Sequence, residues 1–413
     1  MAVYLFATLD TKGPEAEYLR DALRAMGVQV VVVDTGCIGS PSFSGDVSRN
    51  ELFVRAGTSL AAMVEKNDRG SAVTKAAEGA VVIVREALSR GNLDGVIALG
   101  GSAGSTIGTA AMRALPIGVP KVMVSTLASG QTRQFVGDKD IFMLNSIVDI
   151  AGINRVSRKI LSQAAAAMAG LVKLRPAETQ TSDRPIVVAS MFGVTTPCVL
   201  RAREVLEKEG YEVLVFHATG NGGRAMESLV RDGLVAGVLD ITTTELADEL
   251  VGGELSAGPE RLTAAAACGV PQVVSVGAVD MVNFGPRENV PAKFEGRKFH
   301  VHNAVVTLMR TTPEENAKLG TEIAQKVSAS KGPATILLPL LGVSAIDREG
   351  GAFCDTAARE ALFQGIREHH GSTKLTEMNH HINDPEFAEA AAHELLELMR
   401  SVAVKKATAS TVA

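Results

Sequence analysis

Two stretches of this chain follow one pattern, and that repeat limits the fold more than any other feature. "VYLFATLDTKGPEAEYLRDALRAMGVQVVVVDTG" begins at Val3, and "IVVASMFGVTTPCVLRAREVLEKEGYEVLVFHATG" begins at Ile186. Each reads as a buried strand, a proline-containing loop (Pro14, Pro197), an amphipathic helix stopped by glycine (Gly27, Gly210) and a second buried strand. In the first helix Tyr18, Leu19, Ala22, Leu23 and Met26 share one face at helical spacing. The correspondence continues, with "LDGVIALGG" matching "VAGVLDITT" and "GVPKVMVST" matching "GVPQVVSVG". Continuous Val/Ile/Leu strands alternating with helices call for a parallel sheet covered on both faces. The expectation is an α/β fold of two tandem Rossmann-like domains from a duplication, each a mainly parallel sheet with helices on both faces. The polar segment Lys173–Pro185 separates them, giving domains over residues 1–180 and 181–405, with a frayed tail from Val404.

Composition narrows the function classes. A chain of 413 residues has ample core for both domains, and aromatics are scarce at 4% with no tryptophan. Alanine, valine and glycine suit helices packed closely on a parallel sheet. Net charge is −5 with no basic block, which argues against non-specific nucleic-acid binding. No apolar run is long enough to span a membrane, and the chain opens on strand-like "AVYLFATL" rather than a signal peptide. Cys37, Cys198, Cys268 and Cys354 are widely separated, with no Cys-x-x-Cys, as expected of reduced thiols in a cytoplasmic protein.

The richest local signal is "GVIALGGSAGSTIGT", residues 95–109. An apolar strand runs into a glycine-rich turn carrying Gly100, Gly101, Ser102, Gly104, Ser105 and Thr106, and a small-residue helix is expected from Ile107 to Leu115. Backbone N–H groups at a helix start point at an anion, and glycine lets the anion approach. No Gly-Lys-Ser/Thr follows, so this is not a P-loop, and the glycine spacing is not the dinucleotide fingerprint. Ligands of open parallel sheets bind outside the strands' carboxyl ends. That edge also gathers Asp10, Thr11 and Lys12 after the first strand, Asp34 after the second, and Ser125 and Thr126 after the fourth. Lys12 suits a phosphate and Asp34 a ribose. Lys121 starts its strand on the opposite edge and is excluded. Ser129 and Gly130 extend a second polar loop. Asp138 and Asp140 offer carboxylates for Mg2+, although a solvated turn is the preferred reading there.

The second copy places acids, imidazoles and amides at its strand ends. His217 stands where Asp34 stands in the first copy, and "LDITTTELAD" supplies Asp240, Glu245 and Asp248. His217 with Glu245 would serve as an acid–base pair, joined by His302. His300 and His302 share a strand face but lack a defined third ligand, so no metal is assigned. Asp280, Asn283, Arg310, Ser344 and Asp347 complete the set, and Asp384–Pro385 reads as a helix start. No Ser–His–Asp order or nucleophile elbow is present.

Together "LDTKG", "GGSAGST", "GVPKVMVSTLASG", "HATGNGG", "LDITTTELADEL", "GAVDMVNFG" and "HNAVVTLMRTTPEE" span essentially the whole chain. On these motifs it resembles the ATP-binding family named after the tomato mosaic virus resistance protein, the Tm-one-like proteins. The bacterial members form an uncharacterised protein family. The resemblance implies two Rossmann-like halves, ATP binding and a homodimer. In plant relatives it also implies an added TIM-barrel domain resembling phosphoenolpyruvate hydrolases, which this chain is expected to stop short of. The plant role in inhibiting tobamovirus RNA replication is not carried over. One departure is that Ala103 and Ser105 replace residues of the family's usual Gly-Gly-Ser-Gly-Gly-Thr, which Ala103 tolerates only at negative φ. The leading expectation is therefore a nucleotide-binding protein with phosphates on Gly100–Thr106. The alternatives are an enzyme using ATP or another phosphorylated metabolite with acid–base residues in the second domain, and a regulatory module with structural nucleotide.

Overall fold

The computed structural model describes residues 1–130, 132–174 and 184–412, and the chain divides into two compact units, Met1–Gln180 and Thr181–Ala413. Most of the separating segment Lys173–Pro185, and Gln131 in the second polar loop, lie outside the described residues.

In the first unit the strands are β1 (Ala2–Ala7), β2 (Val30–Asp34), β3 (Leu93–Gly100), β4 (Lys121–Ser125) and β5 (Phe142–Asn145). They form one parallel sheet in the order β2-β1-β3-β4-β5. The helices are α1 (Gly13–Ala25), α2 (Arg49–Arg55), α3 (Leu60–Lys66), α4 (Arg69–Ser89), α5 (Ser102–Arg113), α6 (Arg133–Val136) and α7 (Arg155–Lys173). Side chains alternate across the sheet. Val3, Leu5, Val32, Ile97, Leu99 and Val124 pack with α1 and α7, while Phe6, Val33, Val96, Ala98 and Met123 pack with α2, α4 and α5. Burial on both faces is why these strands are apolar throughout rather than alternating.

The second unit repeats the topology. Its strands β6 (Ile186–Met191), β7 (Glu212–His217), β8 (Gly237–Thr242) and β9 (Gln272–Gly277) precede a small insertion. That insertion is an antiparallel sheet of β10 (Met281–Phe284), β11 (Phe299–Asn303) and β12 (Val306–Arg310), in the order β10-β12-β11. Then β13 (Ala334–Pro339) and β14 (Lys374–Met378) complete a six-stranded parallel sheet, ordered β14-β13-β9-β8-β6-β7. Its helices are α8 (Thr196–Lys208), α9 (Asn221–Arg231), α10 (Thr244–Val251), α11 (Ala264–Cys268), α12 (Pro313–Ser328), α13 (Thr356–His369) and α14 (Pro385–Val412). Both units are Rossmann-like, and in both the first strand sits between the second and the third.

The repeat's punctuation acts as its chemistry dictates. Pro14 and Pro197 lie in the first turns of α1 and α8, and Gly27 and Gly210 take positive φ just past their ends (71° and 90°). Three expectations are corrected. Helix α5 starts at Ser102, not Ile107, so Ser105 and Thr106 belong to its first turns. His300 and His302 sit on β11 of the antiparallel insertion and not on a parallel strand, with the His300 ring 6.2 Å from that of Phe353. The tail from Val404, expected to fray, lies within α14, which runs to Val412.

Candidate functional site

The strand order of the first unit reverses between β1 and β3, and a cavity of about 200 Å³ lies at their carboxyl ends. Thr8, Asp10, Thr11 and Lys12 line it from the β1–α1 turn, and Gly100 to Gly104 from the start of α5. Thr35, Cys37 and Ile38 follow β2, and Arg69, Ala72, Val73 and Ala76 face in from α4. Two of the glycines are sterically required. Gly100 has φ +158°, and a Cβ on it would lie 2.8 Å from the Gly104 Cα. A Cβ on Gly104 would lie 2.8 Å from the Leu99 carbonyl oxygen. No side chain caps α5, whose first internal bond comes from Ser105 N–H to Gly101 O. The N–H groups of Ser102, Ala103 and Gly104 therefore present the positive end of the helix to the cavity. Ala103 is not among the residues with positive φ, so it fits this turn without strain.

Of the residues singled out from sequence, Asp10, Thr11, Lys12, Gly100, Gly101, Ser102 and Gly104 meet here. The Lys12 ammonium also donates to the Ile150 carbonyl, which ties the β1–α1 turn to the segment after β5. The other assigned residues carry hydrogen bonds that a strand-end position does not reveal. Asp34 is 2% exposed and accepts from Leu9 N–H (3.1 Å) and Gly36 N–H (2.9 Å), so it shapes the loops instead of facing a ribose. Burial pushes its carboxyl above the ordinary range, against those two bonds. Ser105 and Ser125 are fully buried and bond each other (2.7 Å), locking α5 to β4. The Thr106 hydroxyl donates back to Ser102 O (2.9 Å). Thr126 bonds through its backbone to Gly100 O. Asp140 pairs with Lys121 (2.7 Å) and accepts from Gly118 N–H (2.8 Å), so it serves the opposite sheet edge and not an ion beside phosphates.

Sequence reasoning missed Arg69, Cys37 and Asp149, the last lining the cavity from the segment after β5. Arg69 reaches the cavity only because α4 packs beside α5, a placement no local signal encodes. Burial raises the Cys37 thiol pKa, with the neighbouring Asp10 carboxylate adding to it. Asp10 itself accepts from Ile38 N–H (2.9 Å) and holds the loop after β2 over the cavity.

In the second unit the glycine-rich turn already holds an anion from its own chain. The fully buried Glu245 carboxylate accepts from Gly220 N–H (2.6 Å) and Gly223 N–H (3.1 Å) at the start of α9, and from Arg261 Nε (2.6 Å). Arg261 grips Asp240 through two bonds (2.6 and 2.7 Å), and Glu227 caps α11 through Leu262 and Ala264 N–H. Glu245 is thus a structural ion-pair partner, which breaks the expected acid–base set. His217 is exposed at the end of β7, its ring against Phe192 (5.2 Å), and His302 is exposed on β11. Among the described residues no three His, Cys, Asp or Glu side chains assemble for a metal. Two buried acids stand out. Burial pushes Asp248 up to about 7 despite bonds from Asn283, and pushes Asp280 up to about 7 with Asp347 adding to it.

The described residues contain no helix long and apolar enough to cross a membrane. Fold and cavity define a tandem, doubly wound α/β protein with an open helix start at the switch point of its first unit. The chain belongs to the UPF0261 family. Its residues 1–177 match the N-terminal domain of "Uncharacterised protein family (UPF0261)", and residues 184–399 match the C-terminal domain. It is 49% identical to a UPF0261 protein of Clostridium tetani over 96% of this chain and 98% of that one. It is 42% identical to the ToMV resistance protein Tm-1(GCR237) of Solanum lycopersicum over 96% of this chain, which spans 55% of the tomato protein. Among solved structures, the S. aureus MnaA–UDP complex covers 92% of this chain at 10% identity with a TM-score of 0.21, too slight a likeness to argue from.

Proposed function

We propose that this protein binds ATP through its first unit, with the phosphates on the start of α5. The observation that carries this reading is the uncapped α5 N-terminus opening into a cavity that Lys12 and Arg69 also line. Cations and free N–H groups around one cavity suit a polyphosphate, with the lining Asp10 carboxylate taken up by Ile38 N–H, and Gly100 and Gly104 permit its approach. Ser102 and Thr11 supply hydroxyls, while Ile38, Val73 and Ala76 offer an apolar wall for a base. A nucleotide would bring Mg2+ on its phosphates, with Asp149 of the cavity lining as the nearby carboxylate, since Asp140 is committed elsewhere. Calorimetric titration with ATP, with and without Mg2+, tests the reading. One saturable site per chain, weakened by Lys12→Ala, is expected. No heat at millimolar ATP rejects it.

A further inference from the structure

We propose that the second unit has a binding site of its own, for a small molecule that joins an oxyanion to a hydroxyl-bearing body. The site is a cavity of about 610 Å³ at the carboxyl ends of β13 and β14. That size falls among small-molecule sites (roughly 300–1,000 Å³), and the sheet edge is the one where parallel sheets bind ligands.

Three positive features converge there. Arg359 is anchored through Nη1 to Asp347 (2.9 Å), which leaves the rest of its fork for a ligand. Arg348 is exposed, and among the described residues no hydrogen bond or ion pair engages its side chain. Thr356 begins the 14-residue α13, whose cap Asp355 takes only the Ala358 N–H, so the N–H groups of Thr356 and Ala357 stay open. The same cavity carries the carboxylates of Glu349 and of Asp384, whose Oδ2 already accepts from His381 N–H (2.8 Å) and whose Oδ1 is left for a ligand. A bare anion satisfies the arginines but is repelled by these acids. A ligand whose oxyanion meets the arginines while its hydroxyls donate to the acids satisfies both.

The walls are built, not incidental. A Cβ on Gly342 (φ +148°) would lie 1.9 Å from Asp347 O, so this loop folds tightly on itself. Its far end is pinned by fully buried Phe353, whose carbonyl accepts from Arg310 Nε (2.8 Å). His381 closes the other side. Its Nδ1 accepts from Asn383 N–H (3.1 Å), so its Nε2 carries the hydrogen and donates to Ser344 O (2.9 Å). Arg348 is therefore presented from a pre-organised loop, which lowers the ordering cost of binding.

Cys354 lines this cavity, Cys37 lines the cavity of the first unit, and Cys268 is exposed outside both. Iodoacetamide labelling of the full chain, read by peptide mass spectrometry, thus reports each site separately. Ribose 5-phosphate and gluconate are the two probes, one for a phosphate and one for a carboxylate head. At least one is expected to slow Cys354 labelling saturably, by roughly tenfold, with Cys268 unchanged. Arg348→Glu should abolish that protection without altering the thermal midpoint. Failure of both probes at millimolar concentration overturns the proposal, as does protection that survives Arg348→Glu. Inorganic phosphate protecting as well as ribose 5-phosphate overturns the ligand class.

Discussion

Arg69 and Lys12 occupy comparable places around the first cavity but carry different structural duties. Lys12 also bonds the Ile150 carbonyl, whereas Arg69 is exposed on α4. Arg69→Ala is therefore expected to weaken ATP binding about tenfold, the scale of one charge-assisted contact, with no change in thermal midpoint. Equal affinity by calorimetry would remove Arg69 from the site. Asp248 supports a prediction of another kind. Its folded-state pKa is raised from 3.8 to about 7, so between those values the folded protein keeps a proton that the unfolded chain releases. Stability should fall as pH rises through that window and level off above it, by an amount on the order of a few kcal/mol. Asp280 contributes in the same direction. Denaturant melts at pH 5 and pH 8 should show the difference, and Asp248→Asn should shrink it. A pH dependence untouched by that substitution would show that Asp248 does not titrate in this range. Neither acid's perturbation could be anticipated from sequence, because burial depends on what the second unit packs around them.

At the level of elements, the two glycine-rich turns have diverged. The start of α5 is open to its cavity, while that of α9 is filled by Glu245. Gly104→Ala would push a Cβ to 2.8 Å from a backbone oxygen that cannot yield. We expect it to cost about 1–3 kcal/mol and to lose ATP binding as the α5 start is displaced, both measurable on one purified variant. Wild-type affinity in that variant would mean that the turn does not hold the phosphates. Glu245→Ala leaves Arg261 without one of its buried partners and uncovers two N–H groups. The expected destabilisation is roughly 3–5 kcal/mol, read from urea unfolding, and an unchanged midpoint would contradict the structural role given to this carboxylate. The glycine pattern of the α5 turn was legible, since steric need is local. Which turn was open was not, since Glu245 comes from the next strand–helix unit.

For the molecule as a whole, two units of matching strand order are joined in one chain, and the second adds an antiparallel insertion and a sixth parallel strand. The homodimer that the family resemblance implies remains a proposal. Light scattering coupled to size exclusion should give twice the chain mass, and a concentration-independent monomer would reject it. Sequence by itself determined the fold class, the repeat, the helix ends at Pro14, Gly27, Pro197 and Gly210, and the position of Gly100–Gly104 at a strand's carboxyl end. These follow from periodicity and from the conformational limits of proline and glycine, which act within a few residues. Only the tertiary structure decided that Arg69 lines the cavity there, that Asp34, Ser105, Ser125, Asp140 and Glu245 make hydrogen bonds to internal partners, and that Arg348 and Arg359 share a second cavity. A strand-end position says where a residue's Cα lies. What its side chain meets depends on segments distant in the chain, brought together by the burial of apolar faces on both sides of each sheet.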